Sequence, residues 1–201
     1  MQQQKPIDLK VSLKGQRNYI QSSDLYLALD SVARERFGPS AWLSSLAFRE
    51  LIESRCELIL SEDGELPALH GQASCTIEVL GNTFTGDIVA TGKPISHRTP
   101  FDESLIEHSS YISREKISQK HRAGFTAIEE VVGLTKYLLN TILPPKKKRW
   151  VFSRIDLKTP FSAADDVCFD VMLSQNLAGR MTISTIQQSG MDIGKIQFVV
   201  M

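Results

Sequence analysis

Apolar residues recur at helical spacing most plainly in one segment. Ile128, Val131, Val132, Thr135, Leu138, Leu139 and Ile142 fall at i, i+3, i+4 and i+7, so the stretch 121–142 reads as an amphipathic helix with one buried face. Thr126 stands three residues before Glu129, the spacing of a capping box, and Gly124 allows the turn that leads in. Pro144-Pro145 ends the helix, because proline lacks the backbone donor and restricts the residue before it. A second helix is expected from Asp24 to Arg36. Ser22-Ser23-Asp24 offers its caps, Leu25, Ala28, Leu29 and Val32 share a face, and Phe37-Gly38-Pro39-Ser40 stops it.

Elsewhere the period falls to two, or the apolar runs are short, as strands require. Ile7–Leu13 reads as a short strand, followed after the first helix by Trp42–Leu51, Cys56–Leu60, Gly71–Leu80 and Thr83–Thr91. Ser61-Glu62-Asp63-Gly64 and Gly81-Asn82 are the turns between them. Gly92–Glu103, with Pro94 and Pro100, reads as a crossing linker. The order then repeats. Glu107–Ile117 is strand-like, the 121–142 helix follows, and strands are expected at Trp150–Leu157, Val167–Leu173, Gly179–Gln187 and Met191–Val200. The chain therefore reads as a duplicated small domain of α+β class, with halves at 1–95 and 104–201, each of about five strands and one helix.

The 201 residues suffice for such a core without metal or disulfide staples. Lys plus Arg and Asp plus Glu both total 23, so nothing global pulls the chain toward nucleic acid. Apolar residues make up 42 %, yet no run approaches the length of a membrane span. Cys56, Cys75 and Cys168 are odd in number, far apart and set in apolar strands, which suits reduced core thiols. The N-terminus lacks the apolar core of a secretory signal, and a cytoplasmic location is expected. No His/Cys/Asp/Glu group has metal-ligand spacing, and there is neither a Gly-x-Ser-x-Gly elbow nor a Gly-rich phosphate loop.

One helix followed by antiparallel strands, with a strand before it, resembles the hotdog fold, in which a curved sheet wraps a long central helix. Two copies in one chain resemble the double-hotdog arrangement. The likeness spans nearly the whole chain and implies two antiparallel sheets, each wrapping a central helix, with an acyl-thioester tunnel between the units near the helix N-termini. Another antiparallel α+β fold is the alternative. Locally, His121, Gly124 and Glu129 are similar to the histidine, Pro-Gly turn and glutamate of hydroxyacyl-carrier-protein dehydratases. Here the histidine stands closer to the glycine, and the intervening Phe-Pro is absent. His121 and Glu130 keep the nine-residue spacing of phenylacetyl-CoA-type thioesterases, although His-Arg-Ala-Gly replaces their His-Gly-Gly. Ala127–Val132 and Arg149–Leu157 also resemble butyrolactone-synthesis hotdog enzymes.

The resemblance implies Glu129 and Glu130 as catalytic acids, with Glu129 nearer the apolar stripe, and His121 as a proton shuttle. Backbone N–H groups at Ala123 to Phe125, turned by Gly124, would hold a thioester oxyanion. Asn18, Tyr19 and Asp24, at the start of the first helix, would line the opposite tunnel wall. Lys146, Lys147, Lys148 and Arg149 would meet coenzyme A phosphates or an acidic carrier protein. Each has a plainer role beside it. The two glutamates complement the helix dipole, Glu129 closes the capping box, Asp24 caps its helix, and the basic run is a solvated helix end. The function implied is a hydroxyacyl-thioester dehydratase or a thioesterase of fatty-acid or polyketide-type metabolism. A non-catalytic acyl-thioester-binding or assembly protein is the other reading. No cofactor is implied beyond the substrate's own coenzyme A or phosphopantetheine, and a homodimer is compatible with it.

Overall fold

A computed structural model describes residues 5–61, 71–146, 148–162 and 166–201. The Met1–Gln4 tail, the Glu62-Asp63-Gly64 part of one expected turn, His70 and Lys147 lie outside the described residues. The chain divides into two units, Met1–Phe101 and Asp102–Met201, and its class is α+β with antiparallel sheet.

The first unit runs β1 (Ile7–Asp8), β2 (Leu13–Lys14), α1 (Ser22–Phe37), β3 (Trp42–Phe48), β4 (Cys56–Ser61), β5 (Ala73–Val79), β6 (Asn82–Ala90) and β7 (Arg98–Thr99). Its main strands are hydrogen-bonded in the order β1-β4-β6-β5-β3, all antiparallel. The strand expected over Ile7–Leu13 is two pieces. Ile7 faces Leu58 in β4, whereas Leu13 and Lys14 pair in parallel with Arg98 and Thr99. The 92–103 linker therefore contains a strand, too short for periodicity to reveal. Helix α1 packs on β3 through Leu25, Leu29 and Ala33, and the Tyr26 hydroxyl donates to the Leu43 carbonyl at 3.1 Å. Burial raises the Tyr26 phenol well above its ordinary value. Ala28 and Val32, expected on the buried face, are only half-buried.

The second unit runs α2 (Ser104–His108), β8 (Ser110–Ser113), β9 (Lys116–Gln119), α3 (Ala127–Ile142), β10 (Trp150–Leu157), β11 (Phe169–Leu177), β12 (Met181–Gln188) and β13 (Met191–Val200). The order is β10-β13-β12-β11-β9-β8. The strand-like Glu107–Ile117 segment is the end of a five-residue helix followed by a hairpin turning at Arg114, φ 56°. Helix α3 starts at Ala127 rather than near 121 and lies against β9, β10 and β11. Its buried face is Ile128, Glu130, Val131, Leu134, Thr135, Leu138 and Leu139, rotated from the expected stripe so that Val132 and Ile142 are only half-buried. The Trp150 indole donates to the Leu143 carbonyl at 2.9 Å, closing the helix end.

The units repeat the order of elements along the chain, but not strand adjacency. In the first, the third strand after the helix (β5) lies beside the first (β3). In the second, the fourth (β13) lies beside the first (β10). The turn at 178–180 makes β11 and β12 a hairpin, so the chain continues as a meander. By contrast, β4 and β5 are not paired, and β5 returns beside β3. No helix among the described residues is long and apolar enough to cross a membrane.

The cysteines are unpaired thiols. Burial pushes Cys56 and Cys75 up to about 12, whereas Cys168, just before β11, is half-buried and raised above its ordinary value. Only two of the three are thus core thiols. A neutral thiol is the form that the fold favours, so its stabilising effect is complete below the unfolded value of 9.0 and is lost as pH rises toward 12. Thiol labelling of the native protein at about pH 8 should modify Cys168 first, with Cys56 and Cys75 reacting only on unfolding. Equal rates at all three would contradict this burial.

Gly194 in β13 faces Leu157 in β10 so closely that a Cβ there would lie 2.4 Å from the Asp156 carbonyl oxygen. Gly194→Ala should lower stability by about 2 kcal/mol, the usual scale of overpacking, read as a drop in the urea midpoint. An unchanged midpoint would mean that the strands separate there freely.

Candidate functional site

The start of α3 is built around one carboxylate. Glu130 is completely buried, at a helix position that Leu134 and Leu138 continue at i+4 and i+8. Both of its oxygens are occupied. Oε1 accepts from the backbone N–H of Ala123 at 2.9 Å and of Phe125 at 3.2 Å. Oε2 accepts from Gln119 Nε2 at 2.8 Å and from Arg122 Nε, which is also its ion-pair partner. Four donors use the directions a carboxylate can accept. Arg122 in addition donates to the Phe125 carbonyl at 2.8 Å and lies over the Phe169 ring at 5.3 Å. Gln119 Oε1 accepts from the Phe169 N–H at 2.9 Å. The end of β9, the 120–125 turn, the start of β11 and α3 are thereby tied to one charge.

This geometry corrects three expectations. The Ala123 and Phe125 N–H groups, expected to face a thioester oxygen, hold Glu130 instead. Glu130 is the buried acid of the pair, because the helix face is rotated toward it. Glu129, expected nearer the apolar stripe, is half-buried and turned back on Thr126, accepting its N–H at 2.9 Å and its hydroxyl at 2.6 Å in the capping box. Gly124 takes φ 85°, a conformation open to glycine, and both it and His121 are exposed. Gln119 and Arg122 were missed. Their signal was only that a glutamate stood in the i, i+4 row of Leu134 and Leu138 and needed donors.

The basic run lies beyond the last helical turn. Lys146, Lys148 and Arg149 are exposed, and Lys147 is outside the described residues. Lys148 closes a turn to the Pro145 carbonyl at 2.8 Å, and the Arg149 and Met201 backbones exchange two bonds.

In the first unit Asp24 occupies the third position of α1, the place Glu129 holds in α3. Gln21, not Asp24, stands at the N-cap position, and its side chain makes no capping bond. Asp24 pairs with Lys14 at 2.7 Å, both side chains about nine-tenths buried, and Lys14 lies over the Phe101 ring at 4.7 Å. Asn18 is exposed, its amide reaching Glu53 at 3.4 Å, and Tyr19 is half-buried. A cavity of about 350 Å³ opens between α1 and the 7–12 segment, lined by Asp24, Leu27, Ala28 and Val32 on one side and Ile7 and Val11 on the other. Ala28 and Val32 escape full burial because they form this wall. A second cavity, of about 400 Å³, lies on 9–12 with Arg55 and 95–97. No metal-holding group of three or more His, Cys, Asp or Glu occurs among the described residues.

No protein-family model matches the chain, and no curated protein matches it. Solved structures do. The dehydratase domain of PpsC from Mycobacterium tuberculosis, in complex with C12:1-CoA, is 12 % identical with a TM-score of 0.49, over 91 % of this chain and 85 % of that one. The tesB protein of Mycobacterium avium subs paratuberculosis is 10 % identical with a TM-score of 0.47, over 96 % and 90 %. An acyl-ACP thioesterase from Bacteroides thetaiotaomicron is 8 % identical with a TM-score of 0.45, over 98 % and 96 %.

Glu130→Ala should lower stability by about 3 kcal/mol, since it leaves Arg122 and two backbone donors without their acceptor. Amide exchange at Ala123 and Phe125 should rise to match. A variant as stable as the parent, with those amides still protected, would show that the carboxylate does not hold the turn.

Proposed function

We propose that the chain is a double-hotdog protein of acyl-thioester metabolism, a hydroxyacyl-thioester dehydratase or a thioesterase, whose acyl group occupies the cavity beside α1. The observation that carries this reading is the cavity itself. Its volume of about 350 Å³ falls within the range of small-molecule sites. Its walls combine aliphatic side chains for an acyl chain with Lys10 and the acids Asp8, Asp24 and Glu35, of which Asp24 lies in the first turn of α1. Lys14, 2.7 Å from Asp24, orients that carboxylate. Dehydration requires a base to take the proton beside the thioester carbonyl and an acid to protonate the departing hydroxyl as water. Thioester hydrolysis needs one carboxylate to take a proton from the attacking water while the thiol leaves. Asp24 is the proton-handling group of the first unit in either case. In the second unit Glu129 and His121 retain that role, and Glu130 does not. The substrate brings its own coenzyme A or phosphopantetheine.

A second reading, acyl-thioester binding without turnover, is favoured by one feature. Glu130 is fully engaged by its donors, and Asp24 is already ion-paired.

The two are separated by offering acyl-CoA and hydroxyacyl-carrier-protein substrates to the parent, Asp24→Asn and Glu129→Gln. The enzyme reading expects turnover, reduced by about 100-fold in Asp24→Asn with thioester binding retained. Binding without turnover in the parent selects the second reading, and a parent that neither binds nor reacts removes both.

A further inference from the structure

We infer that the second cavity of the first unit is an anion site that takes the phosphate end of a pantetheine-bearing ligand. The inference rests on the acyl-thioester reading for the ligand's identity, but not for its charge. Lys10, Arg55 and His97 line this cavity of about 400 Å³ together with Ser12 and Ser96. None of its eight lining residues is an Asp or Glu. Lys10 makes no ion pair among the described residues. Arg55 spends one nitrogen on Asp8 at 2.8 Å, which leaves other donors of its planar fork for a phosphate. Three basic residues and two serines around one hollow suit a phosphate or diphosphate, whose oxygens accept only.

The site is held by backbone at both ends. Arg55 N donates to the Lys93 carbonyl and Thr91 N to the Arg55 carbonyl, each at 2.8 Å, and Leu13 N donates to the His97 carbonyl at 2.9 Å. The loop bearing Ser96 and His97 is thereby fixed against the 9–12 segment. That segment is the common wall, since Lys10, Val11 and Ser12 line both cavities. A ligand with a phosphate at Lys10 and Arg55 can therefore cross Val11 and Ser12 to lay an apolar tail against α1. The basic run after α3, expected from the sequence to meet phosphate, has no part in this site.

The test uses the full chain and three probes by calorimetry: inorganic pyrophosphate, coenzyme A, and an acyl thioester of N-acetylcysteamine, which carries no phosphate. Pyrophosphate and coenzyme A should bind in a salt-sensitive manner. Lys10→Gln should weaken both by about tenfold, the scale of a charge-assisted hydrogen bond, Lys10→Arg should restore them, and the phosphate-free thioester should bind the parent without salt sensitivity. Phosphopantetheinylated carrier protein competing for the same site would identify a carrier, rather than free coenzyme A, as the source of the phosphate. Pyrophosphate that fails to bind, or binds parent and Lys10→Gln equally, overturns the anion site. So does an equal loss in Lys148→Gln, which would mark an effect of net charge. Pyrophosphate bound at Lys10 with neither coenzyme A nor the thioester recognised supports the anion site and overturns the acyl-thioester reading.

Discussion

The second unit depends on a buried carboxylate that its own chain must satisfy. An unpaired charge in an apolar interior costs several kcal/mol, and only close donors offset that cost. Glu130 sits at zero exposure, so the segment before the helix folds back to supply donors. That one requirement sets the path of residues 119–125. It brings Arg122 under Phe169, fixes which way the Gln119 amide faces, and turns the chain at Gly124. The Ala123 and Phe125 N–H groups are consequently not available to a substrate.

Aligning the two long helices by their capping residues shows how unusual this is. Position three holds Asp24 in α1 and Glu129 in α3, and position four holds Leu25 and Glu130. Both position-four side chains are fully buried. The first unit therefore fills this core position with an aliphatic group that asks nothing of its surroundings, and the second fills it with a charge that asks for four donors. The acids at position three diverge in the opposite direction. Glu129 turns back to cap its own helix, while Asp24 pairs with Lys14 beside a cavity.

Much of the fold was legible because local chemistry and tertiary packing agree. The bounds of β10 and β13 follow from alternation, and the true start of α3 from Thr126 and Glu129, whose capping box forms as the spacing implies. The misreadings fall where one pattern serves two structures. Glu107–Ile117 read as one strand, but a five-residue helix and a four-residue hairpin arm are each too short to show a period. The buried face of α3 was misplaced by one row, because Val132 and Ile142 looked better core residues than a glutamate. The partners that make Glu130 tolerable lie 8 and 11 residues upstream in the chain, where no helical periodicity connects them to it. Neither cavity was legible, since both depend on residues 7–12 meeting α1 or the 95–97 loop.

That short segment is what makes the first unit suited to a ligand. As a regular strand it would pair along its length and leave no hollow. Instead β1 ends at Asp8, Leu9 is still bonded to Cys56 at 3.1 Å, and pairing resumes only at Leu13 with the strand near His97. Between these anchors Lys10, Val11 and Ser12 stand clear of any ladder and present side chains to both sides. One side meets aliphatic residues with Asp8, Asp24 and Glu35, the other Arg55 and His97, and Lys10 lines both. A wall of three residues that separates a hollow lined by aliphatic and acidic residues from one lined by basic residues and no acid matches a ligand with an apolar tail and an anionic head. The broken strand, which periodicity read as continuous, is thus the feature from which the binding chemistry of the unit follows.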